Sequence, residues 1–140
     1  MSTPVRAWVA LGSNLGAREE HLAWALGRLG GLPGTRVVAA SRVEETKPLG
    51  DIPQPDYLNQ MVLLETALPP RLLLEACLQI ERETGRTRGP DKWGPRTLDL
   101  DIVRYDDLSL REPGLTLPHP GLEVRDWWQR EMKELAAHER

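Results

Sequence analysis

The chain has no phenylalanine, a single cysteine and no long apolar run. Each absence excludes something. Cys77, alone, cannot form an intrachain disulfide or build a thiolate zinc site by itself. It lies in the apolar run Leu72-Leu73-Leu74-Glu75-Ala76-Cys77-Leu78, which points to a buried core thiol rather than a nucleophile. No stretch approaches the roughly twenty apolar residues of a membrane-spanning helix, and Met1 to Arg6 lacks the charged start and apolar centre of a signal peptide. A reducing, cytoplasmic setting is therefore expected. Basic surplus is missing as well: the formal net charge is -3, which argues against bulk nucleic-acid or anionic-membrane binding. Gly12-Ser13-Asn14-Leu15-Gly16 lacks the lysine and the spacing of a Walker A loop, so any phosphate chemistry must be organised otherwise.

What is present fits one globular domain spanning residues 1–140, with 40% hydrophobic and 28% charged residues. Ala7 to Leu11 is short and apolar and reads as a buried strand, with a turn from Gly12 to Gly16. Ala17 to Leu29 has helical spacing, with Leu22, Ala25, Leu26 and Leu29 on one face. Thr35 to Thr46 reads as one long strand. Pro48 to Pro55 holds three prolines and cannot be regular. Tyr57 to Glu65 is a strand. A second helix starts near Pro69-Pro70 and carries Leu73, Leu74, Cys77, Leu78 and Ile80 on its apolar stripe. Thr97 to Tyr105 is the last clear strand, and Asp126 to Ala137 reads as a helix. The order strand, helix, strand, strand, helix, strand predicts an α+β, ferredoxin-like β-α-β-β-α-β fold. Its antiparallel sheet has both helices on one face, with a C-terminal extension.

Alternation in Leu98-Asp99-Leu100-Asp101-Ile102 sends the three apolar side chains one way and both aspartates the other, Cα atoms roughly 6.5–7 Å apart. Two carboxylates so placed can converge on magnesium, which takes oxygen ligands and shares them with substrate phosphates. An amphipathic strand with one solvated face would look the same. Aspartate is, however, depleted in strands. The strand also follows a basic segment, Gly85 to Arg96, that carries Arg86, Arg88, Lys92 and Arg96 with Trp93. Arginine forks suit phosphate oxygens, the glycines permit a closing lid, and Trp93 could cover a base or ring. Pro118 and Pro120 flank His119, an arrangement that aims a side chain. Tyr57 and Asn59 alternate onto one face, where they either recognise a planar heterocycle or pack across strands.

Ala10-Leu11-Gly12-Ser13-Asn14-Leu15-Gly16, Pro48-Leu49-Gly50, Gln54-Pro55-Asp56-Tyr57-Leu58-Asn59, Trp93 to Ile102 and Pro118-His119-Pro120 together resemble the 6-hydroxymethyl-7,8-dihydropterin pyrophosphokinases of folate biosynthesis. The resemblance runs in order from about Ala7 to Arg125. It implies transfer of an intact pyrophosphate from ATP to the pterin hydroxymethyl group, with AMP released. It implies Asp99 and Asp101 as ligands of two Mg²⁺ ions, and Arg86 and Arg96 as catalytic with them. ATP contacts are implied at Glu81, Arg86, Arg88, Trp93, Arg96, Ile102, Thr116, His119 and Arg125. Pterin contacts are implied at Gly12, Pro48, Leu49, Gly50, Tyr57, Asn59, Trp93, Asp99 and Trp127. Lys92 stands where the family commonly has arginine, and Trp127 where it has a phenylalanine. No nucleic acid or membrane partner is expected, and a monomer is expected over an oligomer. Two rivals remain at this point: a single-stranded RNA-binding module on the same architecture, which the acidic charge and missing phenylalanine disfavour, and a non-catalytic domain that senses pterin or nucleotide.

Overall fold

The two most apolar strands lie in the middle of the sheet. A computed structural model describes residues 3–84 and 97–139. In chain order it has β1 (Val5–Ser13), α1 (Arg18–Gly30), β2 (Thr35–Ala40), β3 (Glu44–Thr46), β4 (Tyr57–Thr66), α2 (Pro70–Glu83), β5 (Asp99–Tyr105), the hairpin β6 (Leu110–Glu112) and β7 (Leu115–Leu117), and α3 (Asp126–Leu135). The main sheet runs β2-β4-β1-β5, with β3 also pairing with β4, and every pairing is antiparallel. This is the expected ferredoxin-like arrangement.

β1 and β4 read as nearly continuous apolar runs because both their faces are covered. Ala7, Val9 and Leu11 join Val62 and Leu64 in a core with α1 and α2. Trp8 and Ala10 join Met61 and Leu63 in a second core under α3. The helices supply the matching stripes: Leu22, Ala25 and Leu29 from α1, and Leu73, Cys77 and Ile80 from α2, are all buried. Pro69 and Pro70 begin α2, where a missing N–H costs nothing. Arg28 reaches Glu83 through two 2.8 Å hydrogen bonds and links the helices at the surface. No helix among the described residues is long and apolar enough to cross a membrane.

Two expectations need correction. Gly12 and Ser13 are not turn: they extend β1, paired with Asn59 and Leu58 of β4. Pairing on both sides overrides glycine's weak strand preference. The single strand expected from Thr35 to Thr46 is two. Its register shifts between Val37 and Ala39, and at Ser41 the backbone N–H still donates to the Met61 carbonyl at 2.8 Å while the side-chain hydroxyl accepts the Met61 N–H at 2.9 Å. The segment after Pro113 carries the helix expected from Asp126 and adds to it. It completes the β6–β7 hairpin, makes one 3-10 turn at Pro120–Glu123, and returns as α3 across the face of the sheet opposite α1 and α2.

Candidate active site

β5 fixes the first half of the site. Leu98, Leu100 and Ile102 are buried in the core shared with α1 and α2. Asp99 and Asp101 therefore face the other way, into a cavity of about 510 Å³ at one end of the α3 face. β5 is an edge strand, and its open side is sealed from behind. The buried Glu81 carboxylate, in the last turn of α2, accepts the Leu100 N–H at 2.7 Å. Glu81 thus holds the backbone between the two aspartates.

The strand register supplies the other half. Gly12 of β1 stands between Asn59 of β4 and Asp99 of β5, and Ala10 between Met61 and Asp101. A row of this kind has a floor almost without side chains. A methyl group on Gly12 would touch the Tyr57 ring at 3.4 Å and Asn59 Oδ1 at 3.5 Å. A flat ring can therefore lie on Gly12, with Tyr57 and Asn59 on one side and the carboxylates on the other. The Asn59 amide nitrogen donates to the Thr46 hydroxyl, which leaves its oxygen toward the cavity as an acceptor. Leu49, from the irregular segment 47–56, forms one rim. That segment is tethered where it meets β4: Asn14 Nδ2 donates to Gln54 and to the Pro55 carbonyl at 2.8 and 2.9 Å, and Arg18 donates to the Asp56 carbonyl at 2.8 Å.

The cationic side comes from the chain after β7. His119 Nε2 lies 3.7 Å and Arg125 Nη1 3.8 Å from the Asp101 carboxylate. Both distances exceed a hydrogen bond, so neither side chain is committed to Asp101. Trp127, in the first turn of α3, lines the same cavity.

The structure thus gathers nine of the residues named from the sequence: Gly12, Leu49, Tyr57, Asn59, Asp99, Asp101, His119, Arg125 and Trp127. Glu81 acts from behind β5. Pro48 and Gly50 flank Leu49 but do not line the cavity, and Thr116 lies on β7 and does not line it either. The Ile102 side chain belongs to the helix-side core. Arg86, Arg88, Lys92, Trp93 and Arg96 lie outside the described residues. Lys47, Gly121, Val124 and Trp128 also line the cavity and carried no expectation. Only Trp128 left a trace in the sequence, standing three residues after Arg125, one helical turn away. Cys77 takes no part: burial pushes its thiol up to about 12, with Glu81 and Asp101 adding to the effect.

The donor set fits magnesium. Among the described residues no three of histidine, cysteine, aspartate and glutamate gather as a protein-only cage would need. Two carboxylates on one strand, opening on a cavity, are what magnesium uses when phosphate oxygens complete its shell.

Comparison with known proteins meets this geometry from outside. The family model for 7,8-dihydro-6-hydroxymethylpterin-pyrophosphokinase matches residues 8–137. The chain belongs to this family. It is 44% identical over 114 residues to a 2-amino-4-hydroxy-6-hydroxymethyldihydropteridine pyrophosphokinase of Methylorubrum extorquens, covering 81% of this chain and 72% of that one. The protein of the same name from Pseudomonas aeruginosa is 44% identical over 120 residues, covering 86% and 74%. That from Pseudomonas putida is 45% identical over 116 residues, covering 82% and 94%. The resemblance drawn from the motifs and the family match therefore agree.

Proposed function

We propose that this pyrophosphokinase-family chain carries out its family's reaction in the cavity at the end of the α3 face. Pyrophosphate passes from ATP to the hydroxymethyl group of 6-hydroxymethyl-7,8-dihydropterin, a step of folate biosynthesis, and AMP leaves. The observation that carries the assignment is the row Asn59, Gly12, Asp99, which sets a position without a side chain directly beside the carboxylates.

In this reading the pterin lies over Gly12. Asn59 Oδ1 accepts from the ring, Tyr57 lines its edge, and Leu49 and Trp127 enclose it. Asp99 and Asp101 would hold two Mg²⁺ ions, which would supply neutralisation of phosphate charge. His119 and Arg125 bind ATP phosphates from the opposite wall, and Arg86, Arg88, Trp93 and Arg96 add to that binding. The hydroxymethyl oxygen attacks the β-phosphorus in line. The new bond is carbon-borne oxygen to β-phosphorus, the bond broken is β-phosphorus to the α–β bridging oxygen, and the hydroxyl proton passes to water. The protein contributes positioning and fixed charge rather than covalent chemistry. Glu81 contributes by holding the Leu100 backbone between the aspartates. One buried thiol and no intrachain disulfide support a cytoplasmic setting.

AMP formation from ATP, Mg²⁺ and the hydroxymethyl dihydropterin tests the proposal. Turnover that requires all three is expected. Binding of pterin and nucleotide without release of AMP would overturn it in favour of a ligand-sensing domain.

A further inference from the structure

We propose that Trp128 is a positioning residue that seats His119 and Arg125 for phosphate, a role that rests on reading this cavity as the ATP site. Neither side chain is within hydrogen-bond distance of Asp101. The Arg125 Nε is buried without a hydrogen-bond partner among the described residues, and Nη1 stays 3.8 Å from Asp101. What meets the guanidinium is the Trp128 ring, with Arg125 Cζ 4.4 Å from its centroid. The same indole meets the His119 ring edge-on, 5.0 Å between centroids and 84° between planes.

The remaining contacts leave these ends little freedom. The His119 N–H donates to the Val103 carbonyl at 2.8 Å, which pins it to β5. His119 Nδ1 accepts the Gly121 N–H at 2.9 Å, so a neutral ring carries its proton on Nε2, the nitrogen that faces Asp101. Gly121 is glycine because the three groups crowd it. An added Cβ would lie 3.0 Å from His119 Nδ1, 3.1 Å from Trp128 Cζ3 and 3.2 Å from Arg125 Nε. Trp128 itself is 3% exposed and packs with Trp8, Met61 and Val103 on the sheet. It is a fixed surface that orients the Arg125 guanidinium and the His119 imidazole and leaves their outer nitrogens to a ligand.

Trp128→Leu and Trp128→Phe separate ring from bulk. The leucine variant should raise KM for ATP about tenfold, and the phenylalanine variant should stay within about threefold, the scale of a partly desolvated cation–π contact. KM for the pterin should change equally in both. Equal ATP effects in the two variants, or parallel rises in both KM values, would overturn the role. Proton NMR of the unaltered chain decides the matter even if a variant fails to fold: His119 ring protons and Arg125 Hε should be shifted by the indole ring current, and unshifted resonances sink the proposal. Calorimetry with Mg²⁺ and a non-hydrolysable ATP analogue, without pterin, separates the two readings. Nucleotide binding that weakens in the leucine variant, in a chain without turnover, keeps Trp128 and discards pyrophosphate transfer. Turnover with an unchanged ATP KM in that variant does the reverse, and no nucleotide binding by the unaltered chain overturns both.

Discussion

Glu81 and Leu100 are joined by a hydrogen bond of 2.7 Å, from the strand N–H to the helix carboxylate, and this bond lies between the two aspartates of the site. It ties the last turn of α2 to an edge strand that would otherwise present an unpaired donor. Replacing Glu81 by leucine strands the Leu100 N–H and should cost about 1–3 kcal/mol of stability. Turnover should fall further than that loss of folded protein explains, because Asp99 and Asp101 lose their common support. Glu81→Gln keeps an acceptor oxygen and should restore most of both. Thermal melts beside AMP-formation assays read the two effects separately. Equal activity in the leucine and glutamine variants would show that the bond does not position β5.

The aspartate pair makes a sharper demand. Asp99→Asn and Asp101→Asn each keep size and strand register but remove a charge that magnesium needs. Each should lower kcat by about a hundredfold or more, the scale of losing one electrostatic element of a preorganised site. The folds should survive, since both side chains open onto the cavity rather than the core. Chelation of Mg²⁺ should abolish AMP formation in the parent while its melting temperature barely moves. Near-parental turnover in either variant, or turnover in excess chelator, would end the assignment of these residues to the metal.

The aspartates are legible in the sequence because a strand's side chains alternate, and Leu98, Leu100 and Ile102 declare which face is the core. The helices are legible for the same kind of reason, as are Tyr57 and Asn59 on one face of β4. What local pattern cannot supply is register. Nothing near Gly12 in sequence says that Asn59 and Asp99 will flank it, so it reads as the start of a turn. β6 and β7, three residues each, are too short for periodicity to register. α3 announces an apolar stripe through Trp128 and Leu135, but which face of the sheet it covers is decided by the vacancy opposite α1 and α2. Ile102 shows the converse: the alternation that exposes Asp101 commits the Ile102 side chain to the core.

Gly12 offers a test confined to the pterin side. Alanine there has ordinary contact distances, 3.4 Å to Tyr57 and 3.5 Å to Asn59 Oδ1, so the fold should tolerate it. The new methyl would nonetheless occupy the floor on which the ring lies and crowd the asparagine oxygen. Gly12→Ala should raise KM for the pterin about tenfold or more while KM for ATP changes less than about twofold, the split expected when one substrate's ground-state contact is lost. Steady-state kinetics with each substrate varied in turn would show it. A larger effect on ATP would move the pterin away from Gly12.

α3 carries a titration that the stability of the fold should report. Glu131 is 2% exposed, and its two oxygens have no donor among the described residues. Burial, a hydrogen bond to Glu44 and the Glu44 charge push its carboxyl up to about 9. Burial works against the Glu44 carboxylate, but hydrogen bonds from Glu131 and Arg130 outweigh it and hold Glu44 below its ordinary range. At neutral pH Glu131 is therefore the protonated member and donates to Glu44. Between about 4.5 and 9 the folded protein keeps a proton that the unfolded chain releases. Folding takes up that proton, so stability falls as pH rises through this window, by at most about 1.4 kcal/mol per pH unit. Below the window both states hold the proton, above it neither does, and this contribution to the slope vanishes. Glu131→Gln supplies the same donor without a proton to take up. The variant should melt several degrees above the parent at pH 8, with the gap closing toward pH 5. Melting curves at half-unit steps across the window would measure it, and identical pH slopes for the two proteins would show that Glu131 is ionised in the native state.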